Sequence, residues 1–178
     1  MMAAKGEAMK YLITFASATG NTQKLAQAVR EALPADECVN FGSTMMIAPH
    51  DVVEAKRAYV GFWTNRGTCP DAVAEIIQSL AGKEIFLFGT AGFGESQDYF
   101  DGILARVKEN VPKSARVIGT FMCQGKMPSS VRERYEAMLS NPNEEAKARF
   151  LIENFDRASS HPDEGDLADL KRAIERVR

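Results

Sequence analysis

The sequence predicts an α/β protein, a doubly wound five-stranded parallel sheet with helices on both faces. Three observations carry that expectation. Short apolar runs alternate with stretches of helical periodicity along most of the chain, the pattern of a parallel sheet buried between two helix layers. A hydroxyl-rich turn, Ser17-Ala18-Thr19-Gly20-Asn21-Thr22, joins the first apolar run to the first helical pattern. Glycine-containing loops follow the third and fourth runs, so distinctive loops fall at the carboxyl ends of strands one, three and four, where doubly wound sheets hold ligands.

Taken in order, the first strand spans 9–16, centred on Tyr11-Leu12-Ile13-Thr14-Phe15. The first helix spans 22–33, where Leu25, Ala28, Val29 and Leu33 fall three and four apart, and Pro34 stands beyond it as a stop signal. A weak second strand covers 37–41. Between Gly42 and Ala55 no helical period is visible, and Met45-Met46-Ile47 ahead of Pro49 reads as a short turn or loop. The third strand spans 58–63. The helix after it, 70–80, carries Val73, Ile76, Ile77 and Leu80 on one stripe and ends before Gly82. Strand 84–89, helix 97–110 and strand 115–122 complete the alternation. A charged segment follows, with helices around 131–139 and 144–156. After His161-Pro162 a last helix starts, with Asp163 as its N-cap and Leu167, Leu170, Ile174 and Val177 as its apolar face.

A chain of 178 residues with 45% apolar content is sized for one domain with a sizeable core. The expected organisation is a single domain over 1–178, with 1–8 as a flexible tail and 129–160 as a helical extension. The net charge of -2 provides no basic stripe for nucleic acid, and no run of eighteen apolar residues exists to span a membrane. Residues 1–10 lack the apolar centre of a secretory signal, which makes a cytoplasmic location the expectation. Cys38, Cys69 and Cys123 are widely spaced and read as reduced thiols, and Cys69 and Cys123 have no sequence-adjacent base to activate them. His50 and His161 read as surface residues, and no metal site is assigned.

The turn at 17–22 is an anion site on physical grounds. Backbone N–H groups at a helix start have no intrahelical partner, and the helix dipole adds about half a positive charge there. Three hydroxyls then stand ready to ring a phosphate. The alternative is an ordinary Ser/Thr-rich helix cap. The run lacks the lysine of a nucleoside-triphosphate loop and the three glycines of a dinucleotide fingerprint.

The run S-A-T-G-N-T resembles the flavin mononucleotide (FMN) phosphate loop of the flavodoxin family: a hydroxyl residue, any residue, then Thr-Gly-x-Thr. The resemblance covers about 9–127 and implies a flavodoxin-like sheet in the order 2-1-3-4-5 with FMN as cofactor. The phosphate would be held by Ser17, Ala18, Thr19, Gly20, Asn21 and Thr22 without an arginine or lysine. The loop after the third strand is similar to the family's first flavin loop, which assigns Trp63, Thr64, Asn65, Arg66 and Gly67 to the cofactor. Trp63 then either stacks on the ring or packs as a core residue beneath the loop. The family pattern often places tryptophan directly after the threonine, where this chain has Asn65. Arg66 lies along the ring edge or is a solvated loop charge. The loop after the fourth strand resembles the second flavin loop and contributes Thr90, Ala91, Gly92, Phe93 and Gly94. Gln97 stands where the family carries an aromatic on the outer face, so Phe93 substitutes for it or that face stays open. Tyr99 and Phe100 read as core residues of the following helix.

The terminal His161-Pro162-Asp163 helix is similar to a subfamily of bacterial flavodoxin-like domains, some associated with bilirubin reductases. The resemblance implies an electron-transfer flavoprotein working with a partner oxidoreductase; Lys126 reads as a solvated loop lysine or as a charge that attracts an acidic partner. Two other readings stand beside it: an FMN-dependent NAD(P)H oxidoreductase acting on quinones or flavins, and a flavin-free interaction domain.

Overall fold

The computed structural model describes residues 9–94 and 96–178, so the tail expected at 1–8 lies outside the described residues. Five strands form one sheet: β1 (Tyr11–Phe15), β2 (Cys38–Ser43), β3 (Arg57–Trp63), β4 (Glu84–Ala91) and β5 (Arg116–Gln124). Their order is β2-β1-β3-β4-β5 and every pairing is parallel, as expected. Four α-helices connect them, α1 (Asn21–Ala32), α2 (Pro49–Glu54), α3 (Asp71–Gln78) and α4 (Gln97–Lys108), and three more follow β5 among the described residues, α5 (Ser129–Met138), α6 (Glu145–Ala158) and α7 (Glu164–Glu175).

Alternate residues of each central strand feed two separate cores. In β4, Ile85 and Leu87 face the layer built by Val73 and Ile77 of α3 and Ile103 and Leu104 of α4. Phe86 and Phe88 face the opposite layer, where Leu25 and Val29 of α1 meet Leu170 and Ile174 of α7. The apolar face expected for the last helix is thus spent on the sheet. Its N-cap is also as expected: Asp163 Oδ1 accepts from the Asp166 N–H at 3.0 Å, while Asp166 Oδ2 accepts from the Asp163 N–H at 2.8 Å.

Glycine and phenylalanine pair across neighbouring strands. Gly61 lies opposite Phe88, Gly89 opposite Phe62 and Gly119 opposite Phe86. In each case the ring covers the glycine so closely that a Cβ there would come within 2.4, 2.6 and 2.7 Å of ring carbons, respectively.

The crossover with no visible period contains α2. Pro49 occupies its first turn, where a missing N–H costs nothing. Asp51 then holds the entry, its Oδ2 accepting from the Ala48 N–H and from Asn40 Nδ2, each at 2.8 Å. The Asn40 bond, followed by the Ala48 bond, keeps the Asp51 carboxyl below its ordinary value. Strands β4 and β5 each run two residues past their expected ends, which lengthens the wall behind the carboxyl rim.

The 129–160 segment forms α5 and α6, which pack on each other. Arg132 joins them, pairing with Glu136 on its own helix at 2.8 Å and with Asp156 on α6.

Candidate functional site

Between β1 and α1 the chain turns through Gly20 at φ +87°, a left-handed conformation that favours glycine. Ser17 Oγ accepts from the N–H groups of Gly20 (3.1 Å) and Gln23 (3.3 Å). Its hydroxyl is therefore turned inward as a cap. The N–H groups of Ala18, Thr19, Asn21 and Thr22 have no acceptor among the described residues. These are orphan donors at the positive end of a twelve-residue helix. Thr22 is fully buried, its Oγ1 lying 3.2 Å from Thr90 Oγ1, so this hydroxyl ties the first loop to β4. Asn21 Nδ2 donates to the Lys126 carbonyl at 2.8 Å and ties it to the loop after β5.

The loop after β3 is a four-residue turn. Asn65 and Thr68 exchange backbone hydrogen bonds of 2.8 and 3.1 Å, and the central residues Arg66 and Gly67 sit at φ +50° and +82°. Two successive positive values are the mark of a type I′ turn, which glycine or asparagine usually fills. Arg66 holds its position at a strain of about 1 kcal/mol. Its side chain is exposed and has no hydrogen bond or ion pair among the described residues. Thr64 fastens the turn to β4, since its N–H and its hydroxyl both donate to the Thr90 carbonyl at 2.9 Å. Arg106 Nε fastens it to α4 by donating to the Gly67 carbonyl at 2.7 Å.

In the loop after β4, the Gly92 carbonyl accepts from Gln124 Nε2 at 2.9 Å and from Asn154 Nδ2 at 3.0 Å. A Cβ on Gly92 would lie 2.7 Å from Met127 Sδ, and one on Gly94 would lie 2.8 Å from the Gln124 side chain. Packing against the Gln124 Cβ at the end of β5 demands glycine at 94, whereas the obstacle at Gly92 is a flexible methionine side chain.

The three loops and the segment after β5 enclose a cavity of about 450 Å³, within the range of small-molecule sites. Ala18, Thr19 and Asn21 line it from the first loop; Trp63, Thr64, Arg66 and Gly67 from the second; Thr90, Ala91, Gly92 and Phe93 from the third. The remaining expected residues stand behind this lining: Ser17 caps, Thr22 is buried, Asn65 closes the turn and Gly94 packs on Gln124. Gly20 opens instead onto a smaller cavity of about 270 Å³, which also takes in Thr19, Asn21, Lys24 and Lys126. The first loop is thus flanked by two lysines, which stand outside the 17–22 run itself. Lys24 Nζ donates to the Pro162 carbonyl at 2.6 Å.

Tyr99, expected in the core, lines the larger cavity, edge-on to Phe93 with ring centroids 6.4 Å apart. Residues 99 and 100 are neighbours on a helix and point in different directions, so only Phe100 is buried in the core. Gln97 does not enter the cavity; its Nε2 donates to Asp101 at 2.9 Å. Gly125, Met127, Pro128 and Val131 also line it, unforeseen as site residues. The order of the sheet was the available signal, because β5 beside β4 brings its exit loop to the same rim. A second groove of about 500 Å³, between 44–52 and α3, is lined mostly by apolar residues, with Thr44, Ser79 and Glu75 as its polar side chains.

Burial pushes the thiols of Cys69 and Cys123 above their ordinary value, so both are held protonated at neutral pH. His161 Nδ1 lies 2.6 Å from Asp166 Oδ2, on the carboxylate that also closes the α7 capping box.

The flavodoxin domain family model matches residues 12–175. The chain belongs to the flavodoxin family. It is 38% identical over 175 residues to the flavodoxin-like domain-containing protein BilS of Clostridium symbiosum (strain WAL-14163), covering 90% of this chain and 91% of that one. It is 27% identical over 159 residues to the flavodoxin-like domain-containing protein BilS of Clostridioides difficile (strain CD3), covering 89% and 90%. Among solved structures, the metal-soaked Flv1 flavodiiron core from Synechocystis sp. PCC6803 has the same fold at a TM-score of 0.51 and 15% identity, over 95% of this chain and 38% of that one. Flavodoxin-family proteins bind FMN, and the four orphan N–H groups at the start of α1 fit the phosphate of that cofactor.

Proposed function

We propose that this protein binds FMN in the 450 Å³ cavity and passes electrons to or from a partner oxidoreductase. The observation that carries the reading is the set of unpartnered N–H groups of Ala18, Thr19, Asn21 and Thr22 at the positive end of α1. They would hold the phosphate together with the Thr19 hydroxyl, and Lys126, exposed and with no ion pair for its ammonium among the described residues, would add charge beside it. With the flavin bound, Trp63 would face one side of the ring, and on the other side Phe93 with Tyr99 would cover it or leave it open. Arg66 places its cation at the ring edge, where it favours the reduced, anionic form of the cofactor. When bound, the flavin supplies one- and two-electron chemistry; the protein supplies position, exclusion of water and charge.

The domain comprises 1–178, with 129–160 as a helical extension that adds Val131 to the cavity wall. Among the described residues no helix is long and apolar enough to cross a membrane, and the location we infer is cytoplasmic. The outward turn of Gln97 gives specific support to a second reading, direct NAD(P)H oxidoreductase activity at a ring face that Gln97 leaves uncovered. Sustained flavin-dependent oxidation of NADH or NADPH by the purified protein alone would favour it.

The test is titration of apoprotein with FMN and, separately, with riboflavin, followed by flavin fluorescence. Saturable FMN binding is expected, with Thr19→Ala weakening FMN about threefold to tenfold and leaving riboflavin unchanged. Absence of FMN binding by the wild type would overturn the reading.

A further inference from the structure

We propose that Asn154 of α6 and Gln124 of β5 are positioning residues that aim the Phe93 N–H at a flavin pyrimidine carbonyl, so the helical extension acts on the cofactor through the Gly92–Phe93 peptide. The proposal rests on the FMN reading above. Asn154 is fully buried, and a buried carboxamide is costly unless its donors and acceptor are used. Here they are used on one another and on one carbonyl. Gln124 Nε2 donates both to Gly92 O and to Asn154 Oδ1 (3.0 Å), and Asn154 Nδ2 donates to the same Gly92 O.

In a trans peptide the C=O and N–H bonds point in opposite directions. With its carbonyl drawn toward the two amides, the Gly92–Phe93 peptide turns the Phe93 N–H away from them. Gly92 and Phe93 line the cavity, whereas Gln124 and Asn154 stand outside its lining. The Phe93 N–H also has no acceptor among the described residues. It is a donor preset toward the cavity, and rotating it out would leave Gly92 O and the donor of the buried Asn154 amide without each other, with Gln124 keeping only its bond to Asn154. The segment that looks like a surface addition in the chain thereby fixes a peptide in the cofactor cavity.

Asn154→Leu removes the amide at similar volume, and Asn154→Asp keeps the acceptor for Gln124 but not the donor to Gly92. Three quantities are read: apoprotein amide exchange over 89–97 by mass spectrometry, affinity for FMN and riboflavin, and the reduction potential of the bound flavin. Both variants are expected to exchange faster over 89–97. They should bind FMN and riboflavin about tenfold more weakly by the same factor, with a potential displaced from that of the wild type. The common factor separates this ring-side effect from Thr19→Ala, which acts on FMN alone. If neither Asn154 variant folds, Gln124→Met removes one of the two donors to Gly92 and reads the same quantities. Unchanged exchange, affinities and potential in folded variants would overturn the proposal and leave the FMN reading standing; a wild type that binds no FMN would overturn both.

Discussion

Thr14 Oγ1 is the buried side-chain polar atom left without a hydrogen bond among the described residues. A hydroxyl sealed in a strand without a partner costs about 1–3 kcal/mol, and valine matches threonine in shape and β-branching. Thr14→Val is therefore expected to stabilise the fold by about 1 kcal/mol in urea unfolding; a loss of stability would show that the hydroxyl is satisfied. Arg66 is strained for another reason, a positive φ imposed by the turn that Asn65 and Thr68 close. Arg66→Gly should gain stability of about 1 kcal/mol while lowering the potential of bound flavin, as its cation leaves the ring edge. The sequence made Ala18, Thr19, Asn21, Trp63 and Arg66 legible as cavity residues because they sit in short loops between strongly patterned elements. It left open whether Ser17 caps the helix or faces the phosphate, and it hid the cavity position of Tyr99, since both depend on which way a side chain turns at a given backbone position.

At the scale of elements, α2 escaped the periodicity because six residues make fewer than two turns. The attachment of α6 escaped it for a different reason. Asn154 meets Gly92 across 62 residues, and no local pattern marks a buried polar contact of that range. The strands were legible in number and order, but not the glycine–phenylalanine pairs between them. Gly89→Ala would drive a methyl group into the Phe62 ring at 2.6 Å. It is expected to cost about 2–3 kcal/mol, with part of that recovered in Gly89→Ala/Phe62→Leu. Additive losses in the double variant would show that the ring is not the obstacle.

Across the whole molecule, binding and anchoring lie at opposite ends of the sheet. The loops meet at the carboxyl rim, while at the amino end Arg57 holds Glu84 through Nε (2.9 Å) and a terminal nitrogen (2.6 Å), and Arg116 joins the same carboxylate. The Arg57 bonds outweigh burial and keep the Glu84 carboxyl below its ordinary value of 4.5. A folded value below the unfolded one means that the contribution is complete at neutral pH. It is lost as pH falls from 4.5 through the folded value. Glu84→Gln should thus cost about 2 kcal/mol at pH 7 and progressively less in that acid window, with FMN affinity unchanged at temperatures well below the melt. A weakened affinity would mean that the two ends are coupled. The sheet between them faces a problem of its own. Both of its surfaces are apolar, so strands slipped by one position would still bury greasy side chains on each side, and hydrophobicity alone rejects few mispaired arrangements. The three glycine–phenylalanine pairs reject them sterically, because a displaced ring would land on a neighbour's Cβ. They act as a steric key to one register, and the flush rim at which the cavity opens is the product of that register.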